Sequence, residues 1–336
     1  MSTILAIESS CDETSAAIIQ NGKVLANVVN TQAVHEKFGG VVPELASRAH
    51  QQNIIPVVDL ALAQAKIQKQ DLKAVAFTRG PGLMGALLVG TSFAKSIALS
   101  LRIPLIEVNH MEAHILAHWI DSPQPDFPFL CLTISGGHTQ IVQVDSPLEM
   151  KVLGKTIDDA VGEAYDKTAK ILGIGYPGGP IIDKLAKEGD ENRFEFAKSN
   201  VKGLDFSFSG IKTSILYFLQ KEMKKNPNFI EENKHDLCAS IQKCLVDMLT
   251  SKLKKAAFET GINQIGIAGG VAANSRVRSE LERLGIKHGW KTYIPEFQYC
   301  TDNAGMTAIA AHYKYEKKIF TNQEITADPR LKIELA

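Results

Sequence analysis

The sequence has little cysteine, and its cysteines are not arranged in pairs. The five residues Cys11, Cys131, Cys238, Cys244 and Cys300 are odd in number and scattered, with no CxxC spacing. Such a set excludes a disulfide framework and a zinc ribbon. We expect these thiols to be reduced and mostly structural.

The chain also lacks an excess of either charge. Lys plus Arg and Asp plus Glu both number 37, so no global basic field marks the protein as a nucleic-acid binder, although a local basic patch remains open. No basic leader precedes Glu8, and the most apolar stretch, GLMGALLVGTSFAKSIALSL, is rich in small residues and contains Lys95. We therefore predict a buried helix there rather than a membrane span, and expect a cytoplasmic protein with no membrane contact.

What the sequence does contain indicates an α/β fold built twice. Its 336 residues favour two domains or one duplicated architecture. The run TILAIESSCDETSAAIIQNGKVLANVV predicts three antiparallel strands, and FLCLTISGGHTQIVQV at 129–144 repeats the layout of strand, polar turn and strand. Helices and strands alternate after each hairpin. We expect two halves of like topology with an active-site cleft between them.

The stretch NHMEAHILAH at 109–118 is the strongest candidate for a metal site. His110 and His114 are four residues apart, so on a helix they share one face and suit two ligands of one ion. A zincin protease needs H-E-x-x-H, whereas Glu112 lies roughly 200° round the helix from a His position, at about 100° per residue. Two ordinary helix histidines are the alternative, and His118 fits packing better than ligation.

A carboxylate from elsewhere would complete such a site. Asp302 in YCTDNAGM stands between a predicted strand and a helix start. The alternative is that Asp302 caps this helix, since Asp before a helical run is a common N-cap.

Two glycine turns are candidates for binding an anion. The motif SGGHT, Ser135 to Thr139, places two glycines at a hairpin turn, and GIAGGVAANSRVR places Gly269 and Gly270 between a strand and a helix expected to begin directly after them, with Asn274 one turn into that helix. Neither matches a Walker A or a G-x-G-x-x-G motif. Ordinary tight turns without a ligand are the alternative.

Several acidic residues also stand out. Asp159, Glu163 and Asp166 have the spacing of one helical face and would need a cation, water or hydroxyl groups opposite them. Asp183 is expected at the start of the next helix. Asp12 and Glu13 lie in the opening turn, a position that suits a catalytic or metal-linked acid; simple turn formation is the alternative.

Taken in order, these motifs resemble one family across essentially the whole chain: the bacterial TsaD (Gcp/YgjD) group of tRNA N6-adenosine threonylcarbamoyltransferases. The resemblance is carried by the following motifs: ILAIESSCDETSAA, RGPGLMGALLVG, NHMEAH, SGGHTQ, DDAVGEAYDK, GYPGGP, FSFSGIKT, GGVAANSRVR and TDNAGM.

The resemblance implies a two-lobed actin-like, sugar-kinase-like (ASKHA) α/β fold with duplicated RNase H-like lobes and a central nucleotide cleft. We expect the N-terminal lobe at 1–127, with 308–336 packing back on it, and the C-terminal lobe at 128–307, with a helical insertion at about 156–235. The implied reaction transfers a threonylcarbamoyl group from threonylcarbamoyl-AMP to N6 of the adenosine 3′ of the anticodon in tRNAs that read ANN codons.

The resemblance also implies roles for single residues. One divalent ion, Fe²⁺ or Zn²⁺, would be bound by His110, His114 and Asp302. Asp12 and Glu13 are our candidates for catalytic acids because of their place in the opening turn, not because of the resemblance. Substrate or adenine nucleotide would contact Thr133, Ile134, Ser135, Gly136, Gly137, Asp166, Gly179, Asp183 and Asn274. Archaeal and eukaryotic relatives have a tyrosine ligand where this chain has Thr133, so water or substrate would complete the metal shell.

The implied partners are tRNA, a paralogous TsaB-type subunit and a small TsaE-type ATPase. For tRNA, the sequence offers four cations near predicted loops: Arg79, Lys212, Arg276 and Arg278. Ion pairing on a solvated face is the alternative for each. The rival functions are a metalloprotease, which the position of Glu112 disfavours, a small-molecule kinase of the same fold, and a silent scaffold, which would lack the His pair.

Overall fold

The computed structural model describes residues 2–199 and 201–333. It separates the chain into two compact units. The first comprises Met1–Pro125, Asp145–Lys151 and Pro295–Ala336, and the second comprises Asp126–Val144 and Val152–Ile294. The lobe boundaries expected from the sequence stay a prediction.

The first unit is built on a five-stranded sheet in the order β3-β2-β1-β4-β5. The opening meander is confirmed, because β1 pairs antiparallel with β2 and β2 with β3, while β1, β4 and β5 run parallel. The strands are β1 Thr3–Glu8, β2 Glu13–Gln20, β3 Lys23–Thr31, β4 Ala74–Gly80 and β5 Leu105–Asn109. The helices are α1 Pro43–Ala65, α2 Met84–Leu101 and α3 His110–Leu116.

The second sheet repeats this plan, with the order β10-β9-β6-β7-β8. Read from β8, a three-strand meander is again followed by two parallel strands, so the predicted duplication is confirmed. Its strands are β6 Phe129–Ile134, β7 Thr139–Ser146, β8 Glu149–Lys155, β9 Gln264–Ala268 and β10 Lys291–Tyr293. Its helices are α4 Val161–Ile171, α5 Gly178–Ala186, α6 Ser209–Met223, α7 Phe229–Glu232, α8 Lys234–Thr260 and α9 Ser275–His288. Two helices follow β10, α10 Phe297–Cys300 and α11 Ala304–Glu316, and both belong to the first unit.

Helix α1 begins with Pro43, whose missing N–H is not needed at a helix start. The sequence predicted that Pro56 kinks or divides this segment, and division is wrong because the helix runs unbroken to Ala65. Ile54, Val57 and Val58 are buried in the core on both sides of the proline. This burial offsets the backbone hydrogen bond that Pro56 removes.

Helix α2 is the apolar stretch singled out in the sequence. By length and composition alone it is the one helix in residues 2–199 and 201–333 that could cross a membrane. Ala86, Leu87, Ala94 and Ala98 are buried in the first unit, where α2 packs against β4 and α1. A Cβ at Gly90 would collide with the Ser9 hydroxyl unless that side chain moved, so glycine lets α2 approach the residue that follows β1. The small residues thus allow close packing on the sheet.

The topology brings the chemically interesting residues to the strand ends. In the first unit the parallel strands β1, β4 and β5 end at Glu8, Gly80 and Asn109, and parallel strands end at one sheet edge. In the second unit β6 and β9 end at Ile134 and Ala268, next to the two glycine turns.

Candidate functional site

Helix α3 carries the two histidines of the NHMEAH motif, His110 and His114. Asn109 ends β5 and caps the helix, since its side-chain oxygen accepts hydrogen bonds from the N–H groups of Met111 and Glu112. The helix therefore begins at His110, as predicted. His110 and His114 are buried, with ring centroids 4.6 Å apart.

Asp302 lies directly against this pair. Its Oδ1 is 3.4 Å from Nε2 of His110 and 3.1 Å from Nε2 of His114. The capping role considered for Asp302 is filled by its neighbour Asn303, whose side chain accepts from the N–H of Met306 at 3.0 Å. The Asp302 carboxylate is thus available to the histidines.

The three ligand atoms fit a divalent ion. All lie within 4.8 Å of one another, and two imidazoles with one carboxylate form the donor set of mononuclear zinc and non-haem iron sites that keep open positions. Between α3 and Asp302 the chain supplies three donors, and a substrate or water would supply the rest.

A second carboxylate, which the sequence reasoning missed, lies behind His110. Glu8 is fully buried, and its Oε2 lies 3.2 Å from Nδ1 of His110. Glu8 also accepts hydrogen bonds from the Thr78 hydroxyl at 2.5 Å and from the Ser10 N–H at 2.6 Å. A carboxylate on Nδ1–H directs the lone pair of Nε2 toward the ligand position. The sequence could have indicated Glu8, because a glutamate at the end of an otherwise apolar strand is expected to be buried, and a buried charge needs a partner.

The electrostatics of this cluster are those of a site built around a cation. Burial would lower the pKa of His110, but the charges of Asp302 and Glu8 and their hydrogen bonds raise this pKa well above 6.5. Burial would raise the pKa of Asp302, yet the charge and hydrogen bond of His110 hold it well below 3.8. Burial lowers the pKa of His114. Without a metal, a proton on His110 balances the carboxylates, and metal binding must displace it.

Two more acids and a thiol lie in this region: Cys11 and Asp12 in the opening turn, and Glu13 at the first position of β2. Burial, helped by the charges of Asp302 and Asp12, raises the pKa of Glu13 to about 10, and Glu13 hydrogen-bonds Asp12. Burial also raises the pKa of the Cys11 thiol far above its ordinary value. Glu13 is therefore protonated at neutral pH, and Cys11 is a thiol, not a thiolate nucleophile.

His50 of helix α1, a residue that the sequence reasoning did not select, forms hydrogen bonds with this turn. His50 is fully buried; its Nε2 lies 3.0 Å from the carbonyl oxygen of Cys11 and its Nδ1 lies 2.8 Å from the Thr14 hydroxyl. A carbonyl only accepts, so Nε2 carries the hydrogen and Thr14 donates to Nδ1. The two bonds hold the Cys11 carbonyl and the Thr14 side chain, which flank Asp12 and Glu13.

In the second unit, the residues of the SGGHT turn divide into buried and open positions. Thr133 and Ile134 are fully buried in β6 and expose no surface to a substrate, so their predicted contact remains a prediction. Ser135 is half-buried, and its hydroxyl accepts from the His138 N–H at 3.1 Å. Gly136 and Gly137 face open space.

The acids of helix α4 are only partly arranged as predicted. Asp159 precedes the helix, which begins at Val161, so the single helical face of three carboxylates is wrong. Asp159 and Glu163 share Lys167, at 2.7 and 2.8 Å. Asp166 instead accepts from the N–H of Gly178 at 2.8 Å and from that of Gly179, at the start of α5.

Asp183 and Asn274 meet at the start of helix α9. Asp183 lies inside α5, not at its start, and accepts hydrogen bonds from the hydroxyl and N–H of Ser275 at 2.7 and 3.2 Å. The helix expected directly after Gly270 begins instead at Ser275, and Asn274 caps it through its side-chain oxygen rather than lying one turn inside it. The Nδ2 of Asn274 donates to Gln242 at 2.8 Å. One amide hydrogen of Asn274 remains for a ligand.

Comparison with known proteins identifies the family. The family model for TsaD, tRNA N6-adenosine threonylcarbamoyltransferase, matches residues 23–309. The chain belongs to this family. A threonylcarbamoyltransferase of Christiangramia forsetii is 62% identical over 332 residues, covering 98% of both chains. One from Riemerella anatipestifer is 58% identical over 335 residues, covering 99% of this chain and 98% of the relative.

Family membership makes this chain an acyltransferase that acts on adenosine in tRNA. The fold agrees with solved structures of the ASKHA type. A crystal structure of full-length HypF in the phosphate- and nucleotide-bound form superposes with a TM-score of 0.66 at 14% identity, covering 95% of this chain and 47% of HypF. At that identity the likeness establishes the fold alone. This threonylcarbamoyltransferase therefore has an ASKHA-type α/β fold.

Proposed function

We propose that the chain transfers a threonylcarbamoyl group from threonylcarbamoyl-AMP to N6 of the adenosine 3′ of the anticodon, in tRNAs that read ANN codons. The observation that carries this proposal is the convergence of His110, His114 and Asp302 within 4.8 Å. Membership of the transferase family argues against a metalloprotease, and the presence of this cluster argues against a silent scaffold.

His110, His114 and Asp302 would bind one Fe²⁺ or Zn²⁺ ion. Such an ion supplies a Lewis acid for an oxygen of the donor. The chain prepares the site by holding the proton of His110 on Nδ1, where Glu8 accepts it at 3.2 Å. His110 can then present an unprotonated Nε2 to the ion.

Asp12 and Glu13 would accept and stabilise the proton that the reaction releases. N6 of adenosine attacks the carbamoyl carbon, the bond from that carbon to the AMP oxygen breaks, and AMP leaves. N6 must lose one proton, which we assign to Asp12. Glu13, protonated because burial raises its pKa to about 10, donates a hydrogen bond to Asp12. The adenylate is already activated, so no covalent intermediate with Cys11 is required.

The second unit would bind the adenosine part of the donor. Gly136 and Gly137 leave open space for a ligand, and the carboxylates of Asp166 and Asp183 suit ribose hydroxyls. Ser135, Gly179 and Asn274 complete this proposed subsite, with Thr133 and Ile134 supporting it from the buried strand. Free adenine nucleotides would compete for the same residues.

Partner proteins are proposed from the apolar surface of the first unit. Helices α1 and α2 pack together and leave Ile55, Leu60, Leu88 and Leu99 between 46% and 67% exposed. Exposed apolar groups on neighbouring helices are typical of a protein interface. We assign this surface to a paralogous TsaB-type subunit, with a TsaE-type ATPase joining the complex in the cytoplasm.

Reconstitution tests the function. The chain is combined with tRNA, threonine, bicarbonate, ATP, the adenylate-forming enzyme and the candidate partners, and the nucleosides are analysed. Wild type should yield the threonylcarbamoyl nucleoside, and a triple alanine variant of His110, His114 and Asp302 should lose both activity and metal. His235→Ala, at a partly exposed histidine of the second unit, is the control. Stoichiometric metal in the folded triple variant would overturn the metal assignment.

The adenosine subsite needs a separate measurement. Asp166→Ala and Asn274→Ala should each weaken calorimetric binding of an adenine nucleotide by roughly 1–3 kcal/mol, because a ligand group loses its partner. Glu282→Gln, at an exposed residue of α9, is the control. Unchanged affinity in both alanine variants would rule the subsite out.

A further inference from the structure

The arginines that the sequence offered for tRNA contact are already engaged within the protein. Arg79 and Arg276 form ion pairs of 2.8 and 3.1 Å with acidic side chains. Arg278 donates from Nε to a backbone carbonyl at 2.8 Å. Because these cations have internal partners, a polyanion would find stronger attraction on another surface.

One side of helix α6 carries exposed cations around an exposed aromatic ring. At about 100° per residue, side chains at positions 213, 217, 220, 221 and 224 point within about 60° of one direction. All five are exposed: Thr213, Tyr217, Gln220, Lys221 and Lys224. We name this set the α6 face. Tyr217, at its middle, is 67% exposed.

The α6 face is cationic because acids are almost absent from this segment. Residues 209–225 contain four lysines and one acid, Glu222. Glu222 lies off the face and pairs with Lys225 at 2.8 Å. Among the residues that the structure describes, no carboxylate pairs with Lys221 or Lys224. On α8, by contrast, Lys252 binds backbone carbonyls.

We propose that the α6 face is a tRNA contact surface, with Lys221 and Lys224 on phosphates and Tyr217 stacked on an unpaired base. The inference rests on the proposed function, which supplies the tRNA. Lysine ammonium groups bind the phosphate backbone without regard to sequence, and unpaired bases of RNA loops stack on exposed aromatic rings. From Thr213 to Lys224 the face spans about 17 Å, so it can follow several nucleotides.

The composition of the α6 face favours nucleic acid over a protein partner. The buried centres of protein interfaces are enriched in aromatic residues but depleted in lysine. Tyr217 is the one apolar group on this face, and the lysines beside it would lose hydration against protein. Phosphates compensate that loss with charge, whereas an uncharged protein surface does not.

Filter binding of the full chain to unmodified tRNA, without donor, tests the proposal. Lys221→Glu combined with Lys224→Glu should weaken binding at least tenfold and lower the slope of log affinity against log salt by about 2. The matched control, Lys254→Glu with Lys287→Glu, makes the same charge change at exposed lysines of α8 and α9. Tyr217→Ala should weaken binding about 5- to 100-fold with little change in the salt slope, and Tyr217→Trp should restore it.

Three results would overturn the proposal. The first is equal binding by the α6 double variant and the α8/α9 control. The second is a loss that appears only when a partner protein is present, because the face would then bind protein. The third is no measurable binding of tRNA by wild type at low salt, alone or in the reconstituted complex. The variants should keep wild-type metal content and adenine nucleotide affinity. A chain that binds tRNA through this face but forms no modified nucleoside would refute the proposed function alone.

Discussion

Replacing Glu8 with glutamine should weaken metal binding although Glu8 does not itself belong to the ligand set. Oε1 of Glu8 faces the Ser10 N–H at 2.6 Å, while Oε2 faces the Thr78 hydroxyl at 2.5 Å and Nδ1 of His110 at 3.2 Å. A glutamine amide must place its NH₂ on one of these sides. The Ser10 N–H is fixed, whereas the Thr78 hydroxyl can turn toward Thr307 at 3.1 Å. The NH₂ therefore faces His110 and donates to Nδ1.

That reversal moves the hydrogen of His110 to Nε2, the atom that would bind the ion. Loss of such a supporting carboxylate typically lowers metal affinity by about 10- to 100-fold, or roughly 1.4–2.7 kcal/mol. The assay is calorimetric titration of metal-free protein with Zn²⁺, with a thermal melt to confirm folding. Glu112→Gln, at a glutamate on helix α3, is the control. A folded Glu8→Gln variant with affinity within about twofold of wild type would refute the reasoning.

Three further outcomes are expected, one at the histidine cluster and two in the second unit. The charges of Asp302 and Glu8 raise the pKa of His110 above 6.5, so a proton competes with the metal ion for His110 at neutral pH. The affinity for metal, measured by calorimetry, should therefore rise about tenfold per pH unit until that pKa is reached. An affinity that does not change with pH would contradict this exchange of proton for metal. The hydrogen bond and charge of Arg283 hold the pKa of Glu280 below 4.5. Their contribution to stability is therefore present above the unfolded pKa and is lost as pH falls through the lower folded pKa. Glu280→Gln should lower the free energy of unfolding in urea by about 1 kcal/mol at neutral pH and by progressively less as the solution is acidified, with Glu282→Gln as control and a pH-independent cost as the contrary result. Gly269 has φ +90°, and a Cβ at this position would collide with the Ile134 carbonyl, whereas a Cβ at Gly270 would face open space. Gly269→Ala should therefore destabilise the protein by about 1–3 kcal/mol, and Gly270→Ala by less than about 1 kcal/mol. Equal melting temperatures for the two variants would contradict this account of the packing.

Local pattern was enough to predict most of the elements. The meander of β1, β2 and β3 and its repeat from β6 follow from apolar runs broken by polar turns, which depend on residues close in sequence. Helix α3 begins at His110 because Asn109 caps it, so the spacing of His110 and His114 predicted their shared face directly. Where a long-range contact competed with local preference, one of two predicted outcomes was wrong: α1 is not divided at Pro56, because burial of Ile54 and Val57 keeps the helix continuous.

The sequence by itself determined which side chains could take part in a metal site, because four-residue spacing on a helix is a local property. Only the tertiary structure decided which distant groups join them. Asp302 meets His114 across 188 positions of sequence, and Glu8 meets His110 across 102. Whether Asp302 or Asn303 caps α11 also depended on where each carboxylate or amide lies in three dimensions. The reason is physical: backbone geometry repeats over a few residues, whereas a buried charge is stabilised by whichever segments the packed core brings beside it.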